Sequence, residues 1–117
     1  MAYIDGFVAA VANENRAEYL AYAKKFDVLF IAHGALGAVE CWEDDVPEGK
    51  LTSFPMAVKR EPGESVLFSW IKWPSKEVRT EAWEKMMKLP EMQPGASPMP
   101  FDGKRMIFGG FETILEL

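Results

Sequence analysis

The sequence predicts an α+β fold in which two helices cover one face of a four-stranded antiparallel sheet. Three observations support it: a length that fits one domain, predicted elements in the order β-α-β-(short helix)-β-α-β, and strands that are apolar on both faces. That order is the split βαβ, or ferredoxin-like, pattern, and right-handed crossovers place both long helices on the same face. Because the other face would be bare in a monomer, we expect residues 1–117 to form a single domain that packs sheet to sheet with a second copy.

The first strand is predicted over Tyr3–Val11, which is short, rich in β-branched and aromatic residues, and followed by a polar run. Both of its faces are largely apolar, which indicates a central strand. A helix is then predicted from Arg16 to about His33. Asn15, with Glu18 three residues later, is typical of an N-terminal cap, and Gly34 lies where a C′ glycine is expected.

Apolar residues recur along this helix at helical spacing and form one stripe that is expected to pack on the sheet. The stripe consists of Tyr19, Tyr22, Ala23, Phe26, Leu29, Phe30 and His33. A second apolar patch lies on the far side of the helix and consists of Leu20, Val28 and Ile31. An exposed patch of this kind on a small domain indicates a partner subunit.

The middle of the chain predicts two more strands, over Leu36–Glu43 and Val66–Trp73, the latter with the strongest strand propensity in the chain. Between them, residues 53–58 are expected to form one or two helical turns with Ser53 as the cap, an edge strand being the alternative.

The last third predicts a helix over Ser75–Leu89, a proline-rich loop, and a final strand over Lys104–Leu115. The pair Gly109-Gly110 lies at the centre of that strand. Paired glycines in such a position predict a bulge or a close approach of the backbone by a neighbouring group.

Composition excludes several classes of function. A formal charge of −5 and a pI near 4.9 exclude a basic surface covering the domain, so we expect no nucleic-acid partner. The single cysteine, Cys41, excludes an intrachain disulfide and a cysteine-based zinc site, and it is expected to be a small buried hydrophobe. The single histidine, His33, leaves few ways to build a transition-metal site. We therefore expect no metal and no cofactor.

The apolar residues are not arranged as a membrane span, since no run reaches about 18 residues. Asp5 interrupts the apolar run near the N-terminus and no basic segment precedes it, so no signal peptide is predicted. We expect no membrane partner and a cytoplasmic location. Aromatic residues make up 13% of the chain, more than a small core needs, and such a surplus is typical of a subunit interface or a ligand pocket.

Three carboxylates lie inside predicted strands among apolar neighbours: Asp5, Glu40 and Glu112. Because the first and last strands are adjacent in ferredoxin-like order, Asp5 and Glu112 are expected to lie close together. Two carboxylates in a dry pocket form an acid–base pair with one raised pKa, so both are candidate catalytic residues, and we expect Glu112 to be buried. The alternative is a structural ion pair with Lys72, Arg79 or Arg105.

Candidate ligand-binding residues between the sheet and the helices are Glu40, Trp42, Trp70, Arg79, Phe108 and His33. Trp70, Trp73 and Trp83 either line a pocket for a planar ligand or pack in the core or dimer interface, and packing is favoured. For His33, a role as a base or ligand competes with a structural role at the carbonyl end of the first helix, which is also favoured.

Several short motifs resemble the YbaA-like family of small bacterial proteins, and they run in order through nearly the whole chain. They are Asp5–Phe7, Glu40–Trp42, Asp45–Pro47 with Gly49-Lys50, Phe68–Ile71, Pro74–Arg79, Met99–Met106 and Gly109–Glu112. The family is a domain of unknown function in the dimeric α/β-barrel superfamily. The resemblance implies a ferredoxin-like protomer and a homodimer whose two sheets close into a barrel. It implies no activity, because the superfamily includes oxygenases, isomerases, haem-degrading enzymes and stress proteins.

The leading functional hypothesis is a homodimer that binds a small organic molecule in an aromatic-lined pocket between sheet and helices. One alternative is a cofactor-independent monooxygenase or isomerase with a carboxylate base. Another is a structural or interaction protein without a ligand. The pocket distinguishes them: a cavity with a buried carboxylate favours an enzyme, an apolar cavity favours binding, and no cavity favours an interaction protein.

Overall fold

The computed structural model describes residues 1–117 and shows an α+β protein with a four-stranded antiparallel open sheet and three helices. The strands are β1 (Tyr3–Ala12), β2 (Gly37–Trp42), β3 (Glu64–Trp73) and β4 (Ile107–Glu112). The helices are α1 (Arg16–Ala32), α2 (Phe54–Ala57) and α3 (Lys76–Met86). Single 3-10 turns occupy Asn13–Asn15, Pro90–Met92 and Gly103–Arg105. No helix is both long and apolar enough to cross a bilayer.

The strand order is β2-β3-β1-β4, with all three neighbouring pairs antiparallel. The central strands β1 and β3 pair without interruption from Tyr3 opposite Trp73 to Ala12 opposite Glu64. This confirms the antiparallel sheet and the central position of β1. The edge strands are β2 and β4, and both are shorter than predicted.

The predicted caps are correct for α2 and α3 and wrong for α1. Ser53 and Ser75 adopt extended backbone conformations and accept hydrogen bonds from the amides of Met56 and Val78. Asn15 makes no side-chain cap bond, because the preceding 3-10 turn leaves it at φ −98° and ψ 10°, outside the extended region that a capping side chain needs. At the other end, Gly34 has φ +113°, as expected of a C′ glycine.

The last strand differs from its prediction in length and regularity. It begins at Ile107 because Asp102 accepts a bond from the amide of Lys104 and turns the preceding residues into a 3-10 turn. No bulge interrupts β4, since its register with β1 is continuous. Gly110 instead allows a close approach: the ring of Tyr3 lies where a Cβ at residue 110 would be.

The core lies between the sheet and the two long helices, in two clusters. One contains Phe30, Ala35, Ile71, Trp73, Ala82 and Met86, and the other Ala9, Val11, Tyr19, Ala23 and Leu67. Both are formed by the odd-numbered residues of β1 and β3, so α1 and α3 cover the same face. We call it the helix-covered face.

The opposite face, the bare face, is covered only in part. Val58, which follows α2, packs on Val8, Ala10 and Val66. Four other large apolar side chains of this face are exposed, namely Val39, Phe68, Ile107 and Phe111, while Ile4 and Trp70 are half-buried. Cys41 lies on the bare face of the edge strand β2 and is exposed in the single subunit. The prediction that it is buried is therefore wrong.

Candidate functional site

A cavity of about 380 Å³ lies between the helix-covered face, α1, α3 and the segment 91–101. Seven aromatic side chains contribute to its wall: Phe7, Tyr19, Tyr22, Phe26, Phe30, Trp83 and Phe101. The volume falls in the range of about 300–1,000 Å³ typical of small-molecule sites. The geometry therefore provides a pocket between sheet and helices with an aromatic lining.

Simple periodicities place these side chains. The four rings from α1 recur at helical spacing and belong to the stripe that packs on the sheet. Phe7 and Ala9 of β1, with Leu67 and Ser69 of β3, alternate onto the helix-covered face and form the floor. The floor and one wall thus follow from the local pattern of the sequence.

The rings pack on one another and stiffen the wall. Tyr22 lies 4.9 Å from Phe26 between ring centroids, and Phe30 lies 5.1 Å from Trp83. Phe101 contacts both tyrosines of the wall, at 5.9 Å from Tyr19 and 6.0 Å from Tyr22. Such tilted and edge-to-face pairs add to the stability that burial provides.

The segment 91–101 forms the remaining wall and is held by polar contacts. The amide of Gln93 donates to the carbonyls of Met87 and Leu89 at the end of the α3 region. The hydroxyl of Ser97 donates to the carbonyl of Glu91, and the ammonium of Lys25 donates to Ser97 at 2.7 Å. The segment therefore bridges α1 and α3 across the cavity.

A hydrogen-bonded acid network adjoins the wall between α1 and β2. The hydroxyl of Tyr19 donates to Oε1 of Glu40 at 2.5 Å. Burial, with the neighbouring Glu40 carboxylate, raises the pKa of Tyr19. Burial and the same carboxylate raise the pKa of Asp27 to about 8, which favours the protonated form of this carboxyl group at neutral pH. Asp27 lies eight residues after Tyr19, a spacing that could have identified it as facing the sheet.

Asp5 is buried, with 2% of its surface exposed, and is fully paired. It accepts from both nitrogens of the Arg79 guanidinium that face it, the shorter bond measuring 2.7 Å. It also accepts from the indole N–H groups of Trp73 and Trp83, at 2.9 and 3.1 Å. The hydrogen bond from the Arg79 guanidinium to Asp5 raises the pKa of Arg79. Of the two alternatives for Asp5, the ion pair with Arg79 is the one present.

The predicted acid–base pair of Asp5 and Glu112 in a dry pocket is not formed, because Asp5 is paired with Arg79 and Glu112 is exposed. Both residues alternate onto the helix-covered side, but Asp5 lies opposite Gly110 and Glu112 lies opposite Tyr3. Glu112 is exposed because it ends the edge strand β4, where no helix covers it. The expectation that Glu112 is buried is therefore wrong.

The other candidates lie at separate places outside the cavity wall. His33 has Nδ1 at 2.8 Å from the carbonyl oxygen of Leu29, at the end of α1. Trp42 lies under the guanidinium of Arg16, and Trp70 lies on the bare face of β3. Phe108 is 71% exposed on β4. None of Asp5, Glu112, Glu40, Trp42, Trp70, Arg79, Phe108 and His33 belongs to the cavity lining.

Trp83 is the tryptophan that lines the cavity, and its indole N–H is held by Asp5. Sequence reasoning included it among possible pocket residues but gave it no priority. The contribution of the segment 91–101 was missed altogether. Its signal was the set of apolar side chains within a proline-rich loop, Met92, Met99 and Phe101.

Comparison with known proteins agrees with the resemblance seen in the motifs. A family model described as "Protein of unknown function (DUF1428)" matches residues 2–103. The chain is 55% identical over 116 residues to "Uncharacterized protein YbaA" of Escherichia coli (strain K12), and the alignment covers 99% of each chain. Proteins with the same name from Escherichia coli O157:H7 and Shigella flexneri match with the same identity and coverage.

Proposed function

The chain belongs to the DUF1428 family of proteins of unknown function, and we propose that it is a homodimer in which each subunit binds a small organic molecule. The observation that carries the proposal is the cavity of about 380 Å³ and its largely apolar, aromatic wall. A preformed apolar cavity of this size is the usual form of a small-molecule site. The interaction protein without a ligand is less favoured because it would need no cavity.

We also propose that the protomer is ferredoxin-like and that two protomers close into a dimeric α/β barrel. The sheet order β2-β3-β1-β4 and the two helices on one face support this arrangement. On the bare face, Phe68 is 41% and Phe111 62% exposed. Packing of two such faces would remove a row of large apolar side chains from water, which is the main driving force for association.

Native mass spectrometry of gently purified protein tests ligand binding. We expect a bound organic molecule at one per chain, and we expect Ser69→Phe, which places a ring in the cavity floor, to abolish the adduct. Ala17→Phe, on the exposed side of α1, is the matched control and should keep it. A melting curve for each variant checks that it is folded. Equal occupancy in both folded variants would contradict binding in this cavity.

A second candidate is a cofactor-independent monooxygenase or isomerase with a carboxylate base. The observation that favours it is the bond from Tyr19, a wall residue, to the Glu40 carboxylate. Asp5 is paired with Arg79 and Glu112 is exposed, so the proposal rests on Glu40. Because Glu40 does not line the cavity, it would act through Tyr19: the Tyr19 hydroxyl passes its proton to Glu40 as its oxygen takes a proton from a C–H group of the substrate.

Incubation of the protein with its co-purified molecule in air tests the enzyme. A gain of oxygen mass would indicate an oxygenase, and an unchanged mass with a changed NMR spectrum would indicate an isomerase. Glu40→Gln should stop either change, whereas Glu112→Gln should not. An unchanged compound would favour binding alone.

A further inference from the structure

The charge of the groups around the cavity limits the ligands it can hold. Its lining includes no lysine, arginine or histidine, and its one carboxylate belongs to Glu91. Glu91 is half-buried and lies in the 3-10 turn Pro90–Met92, at the edge of the segment 91–101. A negative group on a ligand would therefore meet a carboxylate and no positive partner inside the cavity.

The wall itself disfavours negative charge. Burial raises the pKa of the Tyr22 phenol, and burial together with Glu40 raises the pKa of Tyr19. Behind Tyr19, the Glu40 carboxylate accepts the hydrogen bond from the Tyr19 hydroxyl, and burial beside it raises the pKa of Asp27. The faces of the seven aromatic rings attract cations through their quadrupoles.

From this distribution we propose that the cavity selects organic cations, specifically protonated amines with an aromatic body, over neutral and anionic compounds of the same shape. The inference rests on the proposed binding function and names its ligand class. Glu91 is the ionic contact at the rim, and the rings of Tyr22, Phe26 and Trp83 surround the aromatic body.

The positively charged side chain of Lys25 lies just outside the cavity, beside the segment 91–101. The Lys25 ammonium is 5.7 Å from the centroid of Phe26 and donates to Ser97. It is exposed and does not belong to the lining. A ligand carboxylate held by Lys25 at the mouth is the competing possibility, and the experiment includes it.

Three probes of matched shape test the selectivity at pH 7 and low salt: 2-naphthylmethylamine, which is a cation, 2-naphthalenemethanol, which is neutral, and 2-naphthoate, which is an anion. Calorimetry on the whole 117-residue chain should show the amine binding roughly fivefold tighter than the alcohol and at least about tenfold tighter than the anion. Glu91→Gln should weaken amine binding about threefold and leave the alcohol within about twofold. Glu81→Gln, on the exposed side of α3, is the matched control and should change neither.

The outcomes separate this inference from the function on which it rests. Equal affinity for amine and alcohol overturns the charge selectivity while leaving small-molecule binding intact. Tightest binding of 2-naphthoate, lost in Lys25→Met, also overturns it and assigns the mouth to an anion. Binding of none of the three probes contradicts both the selectivity and the proposed function.

Discussion

The helix-covered face and the bare face of the sheet are made by alternate residues of the same strands, and they differ in what surrounds them. On the helix-covered face, Ile71 and Trp73 are buried and the one buried carboxylate, Asp5, has donors on both oxygens. On the bare face, Phe68 and Phe111 are equally apolar yet exposed. Composition alone therefore does not distinguish the two faces, and the difference arises from the elements that pack on them.

This difference places stability on one face and association on the other. A buried, fully paired polar group stabilises the fold only while every partner is present, because each one left alone is desolvated without compensation. An exposed apolar side chain contributes to the fold only slightly and becomes important when a second surface covers it. Substitutions on the two faces should therefore affect different measurements.

The largest effect is expected from Asp5→Ala. It leaves the Arg79 guanidinium and the indole N–H groups of Trp73 and Trp83 without their acceptor, at a cost of about 3–5 kcal/mol in the free energy of unfolding. Urea unfolding at fixed protein concentration measures it. Glu112→Ala, at the exposed carboxylate, is the control and should change the free energy by less than about 0.5 kcal/mol. Similar losses in both variants would contradict the structural role of Asp5.

The contrast between these carboxylates also shows how far sequence reasoning reached. Alternation placed Asp5 and Glu112 on the same side of the sheet correctly, because side-chain direction has a period of two. It could not supply the register, which sets Glu112 opposite Tyr3, or the fact that β4 ends there uncovered. Arg79, which is 74 residues from Asp5 in sequence, was one of three candidate ion-pair partners, and the sequence could not choose among them.

The cavity was predictable in the same partial way. The stripe on α1 and the alternation of β1 and β3 predicted an aromatic layer between helix and sheet. The segment 91–101 has no periodicity, so its path over that layer depends on tertiary contacts such as those of Gln93 and Phe101. None of the predicted site residues belongs to the cavity wall, and the segment that completes the wall was not predicted.

A charged substitution on the bare face should lower the affinity of dimerisation and change the free energy of unfolding of one chain only slightly. Phe68→Lys places a charge at the centre of the apolar surface of β3, twice in a symmetric dimer, and we expect dimer affinity to fall at least about a hundredfold. Analytical ultracentrifugation at micromolar concentration should show twice the 13.2 kDa chain mass for the natural sequence and the single chain mass for the variant. Leu51→Lys, in the exposed loop before α2, should remain dimeric. A monomeric natural protein would overturn the barrel.

The helix-covered face should also respond to pH through Asp27. Its pKa is about 8 in the fold against an ordinary value of 3.8, so the folded state holds a proton that the unfolded state has released. This contribution is complete below about pH 4 and is lost as the pH rises towards and through 8. With a discount for partial exposure, we expect a loss of about 2 kcal/mol between pH 5 and 9.

Asp27→Asn removes this titration and keeps a donor towards Glu40, so its Tm should fall less than that of the natural protein between pH 5 and 9. The comparison uses the difference between the two curves, which cancels contributions from other groups. Asp44→Asn, in the exposed turn after β2, is the control and should follow the natural protein. If Tm fell equally with pH in Asp27→Asn and in the natural protein, the raised pKa of Asp27 beside Glu40 would be contradicted.

The smallest effect is expected at His33, which lies at the end of α1 and outside the cavity lining. Its Nδ1 lies 2.8 Å from the carbonyl oxygen of Leu29, and the amide of glutamine can donate to the same carbonyl. His33→Gln should therefore leave the affinity for 2-naphthylmethylamine within about threefold and the free energy of unfolding within about 0.5 kcal/mol. Trp83→Leu, which alters the wall itself, should weaken the same binding about tenfold and serves as the positive control. A roughly hundredfold loss of affinity in His33→Gln at unchanged stability would contradict the structural role of His33. The binding site would then extend beyond the cavity to the end of α1.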